Sequence, residues 1–283
     1  MTRVRLYEVG PRDGLQNETA FIPTAGKIAL IDALSACGFD HIEAASFVNP
    51  KAVPQMADGA AVLAGVARAP GVTYAALTPN LKGYAAARAA GAGEVAVFAS
   101  ASEGFSRANL NAGIDESFER FVPIAAAARA DGVPLRGYVS CVVACPYDGR
   151  TPPAAVARIA ELLLELGAYE VSVGDTIGAG DPDTVGAMLE AVLSAAGADR
   201  LAGHFHDTGG RALANMETAL DAGLRTFDVS VAGLGGCPFA PGAPGNLDTR
   251  SAAERLAALG FETGVDVDRL AAAERLARSL VAR

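Results

Sequence analysis

Short runs rich in β-branched and apolar residues recur eight times along the chain, each followed by an Ala-rich stretch with helical spacing. The runs lie at 4–9, 41–46, 72–78, 94–100, 135–142, 169–175, 201–206 and 226–232. Helical patterns fill the intervals near 24–36, 55–67, 81–90, 116–130, 153–166, 182–195 and 212–222, and two more follow at 251–259 and 268–281. Strands alternating with helices favour parallel pairing, because a parallel connection needs a crossover and the helix supplies it. Gly38, Gly91, Gly132, Gly167 and Gly223 directly follow the last helical residues, where a left-handed cap favours glycine. Pro153 and Pro182 stand at helix starts, where the N–H they lack has no helical partner to lose. Such a sheet either closes on itself or stays open and doubly wound. An open dinucleotide-binding sheet would carry Gly-x-Gly-x-x-Gly after its first strand, but this chain has Gly10-Pro11-Arg12-Asp13-Gly14 there. The pattern therefore predicts an α/β chain forming a single (β/α)8 TIM barrel over 1–283. The barrel takes about 1–260, and an extra C-terminal helix takes 261–283.

Charge narrows the partners. With 23 Lys and Arg against 32 Asp and Glu the net charge is −9, and no stretch is rich in basic residues. That speaks against a nucleic-acid or anionic-membrane partner. An anionic small molecule is still open to it, since a local Arg or a metal ion can outweigh the global field. The first residues run straight into a strand without an apolar leader, and no uninterrupted apolar run nears the roughly 18 residues of a membrane span. A cytoplasmic location is expected. The four cysteines, Cys37, Cys141, Cys145 and Cys237, are too sparse for a disulfide scaffold and lack finger-like spacing for a structural zinc site.

In a barrel of this kind chemistry gathers at the C-terminal ends of the strands, and unusual polar residues sit there. The first strand leads into Arg12-Asp13, a pair that on its own reads as a plain surface ion pair rather than as function. Glu43 interrupts the apolar second strand, and a carboxylate there needs an ion pair or a metal. His204 and His206, two of the three histidines, are two apart on the seventh strand, so both project from one face and can reach one ion. His41 opens a strand at the opposite end and reads as structural. Oxygen ligands to complete the site are available from Asp13 and from Asn246, in the Gly- and Pro-rich loop 233–247. Two imidazoles with hard oxygen donors suit Mn²⁺, Mg²⁺ or Zn²⁺. Cys237 in the same loop could move a proton or be an inert thiol.

Taken together, the segments 9–18, 46–56, 136–147, 171–178, 204–208 and 230–246 resemble the 3-hydroxy-3-methylglutaryl-CoA lyase family of metal-dependent, pyruvate-carboxylase-like barrels. The similarity extends over nearly the whole chain, and the run Ser230-Val231-Ala232-Gly233-Leu234-Gly235-Gly236-Cys237-Pro238 is long and specific. The resemblance implies a divalent cation, Mg²⁺ or Mn²⁺, on Asp13, His204, His206 and Asn246. It implies catalytic roles for Arg12, Asp13, Glu43, His204 and Cys237. Contacts to an acyl-CoA substrate would come from Arg12, Gln16, Ser46, Asn109, Tyr138, Ser172 and Asp175. Cys141 and Cys145 match family cysteines near the pocket and are expected reduced. The implied reaction is a retro-Claisen cleavage giving acetyl-CoA and acetoacetate, within leucine degradation, and a homodimer is compatible with it. Three positions depart from the family pattern. Gly209-Gly210 replaces the usual Tyr-Gly, Ala52 stands where Trp is common, and Thr19 stands where the animal enzymes carry Lys. None touches a ligand position, and they bear on the acyl group instead. The alternative is a lyase or aldolase of the same group acting on a different 3-hydroxyacyl-CoA.

Overall fold

The computed structural model describes residues 2–235 and 245–282. Its first half runs β1 (Arg5–Glu8), α1 (Thr24–Ser35), β2 (His41–Ser46), α2 (Gly59–Gly65), β3 (Thr73–Leu77), α3 (Leu81–Ala89), β4 (Glu94–Ser100), α4 (Glu103–Leu110) and α5 (Ile114–Ala130). The second half runs β5 (Leu135–Ser140), β6 (Ala144–Cys145), β7 (Gly149–Arg150), α6 (Pro153–Leu166), β8 (Glu170–Asp175), α7 (Pro182–Leu193), β9 (Leu201–Phe205), α8 (Ala212–Asp221), β10 (Thr226–Val229), α9 (Thr249–Ala258) and α10 (Val267–Val281). Eight strands pair in the order β1-β2-β3-β4-β5-β8-β9-β10, all parallel. The barrel closes where β10 meets β1, from Arg5 opposite Thr226 to Glu8 opposite Val229. This is the (β/α)8 barrel expected from the alternation, with each expected strand recovered to within a few residues.

Strand alternation sorts the side chains into two environments. Residues facing outward, such as Val95, Val97, Val171 and Val173, pack against helix residues such as Ile159, Leu163, Val185 and Leu189, forming a continuous apolar ring between sheet and helices. The lumen face is different. It carries small apolar clusters, Tyr7 with Val9 and Ala75, and Leu77 with Ala96 and Tyr138. Between them lie the buried polar residues Glu43, Glu94, Arg136, Glu170, Ser172 and Asp228. At the N-terminal end of the strands Tyr7 and Tyr169 donate to the two oxygens of Glu94, at 2.7 and 3.0 Å, and His41 stacks on Tyr7 with ring centres 5.4 Å apart. His41 thus lies away from the end where chemistry is expected.

Three local features escape the periodicity. A π-helical turn, Gly10–Gly14, follows β1, with the N–H groups of Arg12, Asp13 and Gly14 all directed at the Val9 carbonyl. The eight-residue α4 has no long apolar stripe; it starts because the Ser102 hydroxyl accepts the Phe105 N–H. The helix expected at 55–67 is confined to α2. The side chain of Gln55 is tied to the preceding loop, accepting from the Ile22 N–H and donating to the carbonyls of Glu18 and Ala20, so Pro54–Met56 forms a separate 3₁₀ turn. Among the described residues no helix is long and apolar enough to cross a membrane.

The five glycines expected to close helices all adopt positive φ. Gly38 is the most constrained of them, because a β-carbon there would lie 2.2 Å from the Gly264 carbonyl oxygen. Gly38→Ala should lower stability by more than about 1–2 kcal/mol, the left-handed penalty alone, with the backbone clash added. Urea unfolding measures this, and an unchanged midpoint would contradict it.

Candidate active site

The turn after β1 and the end of β9 meet at the C-terminal mouth of the barrel. Asp13 is held on several sides. Its Oδ1 accepts from Arg12 Nη1 at 2.6 Å and from Gln16 Nε2 at 2.8 Å, and its Oδ2 accepts from Asn246 Nδ2 at 2.8 Å. On β9, His204 and the following His206 share the lumen face, with ring centres 5.2 Å apart. The Nε2 atoms of both lie 3.9 Å from Asp13 Oδ2. Potential ligand atoms of Asp13, His204 and His206 all lie within 4.8 Å of one another. Asn246 arrives from the loop after β10, in a short bridge with His206, and its amide also donates to the Leu234 carbonyl at 3.1 Å. Gly235 makes this approach possible, since a β-carbon there would lie 2.4 Å from Asn246 Nδ2. One carboxylate and two imidazoles gathered in this way fit a divalent cation.

Arg12 ties this cluster to Glu43. Its Nε donates to Glu43 Oε2 at 2.6 Å, and its Nη2 lies 2.6 Å from the same oxygen. Burial alone would favour a neutral Arg12, but the carboxylates of Glu43 and Asp13 more than offset it and hold the guanidinium charged. For Asp13, burial is outweighed by Arg12 and then the histidines, which brings its pKa down to about 2. His206 is pushed down to about 4 by burial, then by its neighbour His204, so its ring is neutral near pH 7. In His204 burial is offset by a hydrogen bond to Asp228 and by the Asp13 charge, and its pKa is raised.

These groups occupy the polar end of a cavity of about 590 Å³, whose walls include Leu77, Phe98, Phe105 and Tyr138. Gln16, Asn109 and Tyr138 line it, as do Arg12, Asp13, His204 and His206. Three residues expected to touch substrate are absent from that wall. The Ser172 hydroxyl donates to Asp228 at 2.7 Å, and Asp175 accepts the N–H groups of Ala179 and Gly180 at 3.1 and 2.7 Å. Ser46 is buried at the end of β2, with its hydroxyl unpaired among the described residues. Both hydroxyls and the carboxylate therefore sit behind the cavity surface. Cys237 lies outside the described residues. Of the departing positions, Ala52 lines the cavity, and Gly209 leaves room for the Arg211 guanidinium, 2.8 Å from where a β-carbon would be.

Sequence reading passed over two buried acids. Asp228, in the apolar Thr226–Val229 strand, lies 3.1 Å from His204 Nδ1. The same anomaly that singled out Glu43, a charge inside a strand, marks it. Glu8 accepts the N–H groups of Gly10 and Val231 at 2.8 and 3.0 Å and the Thr249 hydroxyl at 2.7 Å. It thereby links the turn bearing Asp13 to the loop bearing Asn246, and burial outweighs those donors to bring its pKa up to about 7.

Known proteins resemble the chain across the whole of this region. The family model described as HMGL-like matches residues 3–277. The 3-hydroxy-3-isohexenylglutaryl-CoA/hydroxy-methylglutaryl-CoA lyase of Pseudomonas aeruginosa is 56% identical over 268 residues, covering 95% of this chain and 89% of that protein. The HMG-CoA lyase structure from Brucella melitensis superposes with a TM-score of 0.99 at 60% identity, over 100% of both chains. An HMG-CoA lyase from Acinetobacter baumannii, in complex with coenzyme A and 3-methylmalate, superposes with a TM-score of 0.93 at 38% identity. It covers 99% of this chain and 91% of its own.

The geometry makes the cation site testable without any substrate. His206→Ala should weaken Mn²⁺ binding to the chelator-stripped protein by more than about tenfold, the lower range seen even when only a supporting group is lost. Titration calorimetry reads this directly, and an unchanged affinity would remove His206 from the ligand set.

Proposed function

The chain belongs to the HMGL-like family, and from that membership we propose that it is a carbon–carbon lyase cleaving 3-hydroxy-3-methylglutaryl-CoA to acetyl-CoA and acetoacetate. The observation that carries this reading is the cluster of Asp13, His204 and His206 at the polar end of one cavity, with the Arg12 guanidinium against it. The activities named for the relatives support it. Asp13, His204, His206 and Asn246 would hold the divalent cation, taken as Mg²⁺ or Mn²⁺. Such an ion supplies Lewis acidity, which eases loss of a proton from an oxygen it polarises.

Cleavage begins when the C3 hydroxyl gives up its proton. His204 is the base in this proposal: its Nδ1 is turned to Asp228, which leaves Nε2 facing the cavity. Ligation and proton transfer at that one atom exclude each other, so the two roles must alternate in time. The C2–C3 electrons then move toward the thioester, and negative charge develops on the oxygen of the acetyl-CoA half. A guanidinium carries five N–H donors. Arg12 directs Nε and one group on each terminal nitrogen to Glu43 and Asp13, and the remaining two can meet that oxygen. Glu43 acts on the reaction through Arg12, by fixing where the guanidinium lies. Proton delivery to C2 is assigned to Cys237 on the family resemblance alone. The apolar walls keep water from the reacting carbon. The cytoplasm and leucine degradation are the proposed setting.

Chelator-treated protein mixed with 3-hydroxy-3-methylglutaryl-CoA should form acetyl-CoA and acetoacetate only after Mg²⁺ or Mn²⁺ is restored. No products under either condition would reject the proposal. Arg12→Ala should lower kcat roughly 10²–10³-fold, the usual effect of losing an oxyanion donor, while calorimetry finds cation binding retained. A near-normal kcat would remove the oxyanion role.

A further inference from the structure

Beneath His204 lies a buried charged cluster that supplies no proposed ligand and no proton-transfer group, and meets the proposed site only at His204 Nδ1. Asp228 is 1% exposed, and partners on three other strands converge on its carboxylate. Oδ1 accepts from Arg136 Nη2 at 2.7 Å. Oδ2 accepts from Ser172 Oγ at 2.7 Å and from Arg136 Nη1 at 3.3 Å, and lies 3.1 Å from His204 Nδ1. Arg136 is itself fully buried and donates through Nε to Glu170 Oε1 at 2.9 Å. Its Cζ lies 4.1 Å from the ring centre of Tyr7 and 5.0 Å from that of Tyr138. Arg136 and Ser172 thus fix the carboxylate independently of His204.

This arrangement determines which ring nitrogen of His204 carries hydrogen. A guanidinium can only donate, and an ionised carboxylate can only accept. The group facing Asp228 Oδ2 must therefore be a donor, which makes it Nδ1–H. In the neutral ring Nε2 is then a bare lone pair, and it is the atom turned toward Asp13 Oδ2. His206 has no such support, since its buried Nδ1 lacks a hydrogen-bond partner among the described residues. We propose that Asp228, held by Arg136 and Ser172, is a positioning residue for the cation site, fixing His204 in the Nδ1–H form with Nε2 presented as the ligand atom. The proposal rests on the ligand role given to His204 above.

Asp228→Asn separates the possibilities. Arg136, which only donates, retains the amide oxygen, so the new NH₂ faces His204 Nδ1 and drives the hydrogen to Nε2. Long-range proton–nitrogen NMR of ¹⁵N-histidine-labelled, Mg²⁺-loaded protein reads this with only three histidines to assign. Wild type should show His204 protonated on Nδ1 and not on Nε2; the opposite pattern overturns the proposal without recourse to any variant. Asp228→Asn should weaken Mn²⁺ binding to the stripped protein about 10–100-fold, the range for loss of a group that orients a metal-bound histidine. In a His204→Ala background the same substitution should add nothing, because its effect passes through that ring. A full additive loss there would mean general damage and overturn the proposal. If His204→Ala itself leaves Mn²⁺ affinity unchanged, the ligand role fails and this inference fails with it. If His204→Ala abolishes binding while Asp228→Asn folds and binds normally, only the positioning role fails.

Discussion

A guanidinium without contact with water must be neutralised where it stands, and the lumen of this barrel is arranged around that requirement. Arg136 on β5 draws Glu170 from β8 and Asp228 from β10, so one side chain spans strands that do not all pair with each other. Burying such a set is rarely a net gain in stability, because the desolvation penalty offsets the attraction, and well-packed apolar residues often do as well. Barrel lumens are ordinarily filled with branched apolar side chains. A charged layer in their place points to a use beyond cohesion, and its position is informative. Its upper end is the carboxylate under His204, and its lower end approaches Tyr7 and the Glu94 group beneath. His204, alone among the proposed cation ligands, therefore stands on this floor of paired charge.

The mouth of the barrel is organised by a second buried carboxylate. Glu8 closes β1 and accepts from the turn that follows it, from the loop after β10 and from the first residue of α9. The two segments bearing Asp13 and Asn246 are thereby referenced to a single side chain, although 233 positions separate those residues. The π-helical turn adds the final adjustment. By directing three successive N–H groups to the Val9 carbonyl it widens the turn, so that adjacent residues Arg12 and Asp13 both face the cavity and each other.

How much of this could be read from the chain alone depended on whether a feature is local. The strands and most helices were legible because their periods differ and because glycine and proline mark their ends. His204 and His206 were legible because a spacing of two on a strand has one geometric meaning. Glu43 stood out as a carboxylate among apolar neighbours, but its partner Arg12 lies 31 positions away, and only barrel closure brings them together. Asp228 and Arg136 carried the same anomaly, yet their partners are set by register across the lumen, which no local pattern encodes. Ser172 and Asp175 show the converse. Both lie on β8 beside the site, but a short polar side chain has little reach, and each is engaged by a nearer partner behind the cavity wall. The π-helical turn and α4 had no periodic signature.

Electrostatics links these observations to the acidic composition. The chain carries a net charge of −9, and the proposed substrate is itself an anionic thioester. Around the site Arg12 supplies one positive charge against the two negative charges of Glu43 and Asp13, and His206 is neutral near pH 7. Beneath it Arg136 likewise faces two carboxylates, Asp228 and Glu170. With His204 in its neutral form the group around Asp13 is one positive charge short of neutrality, whereas below it Arg5 also reaches Glu170 at 3.6 Å, so the upper layer alone presents an environment that disfavours a second anion. A divalent cation on the proposed ligands would reverse the sign of the upper layer. On this reading the ion's first contribution is to make an otherwise negative cavity receptive to an anion, before it affects the hydroxyl proton.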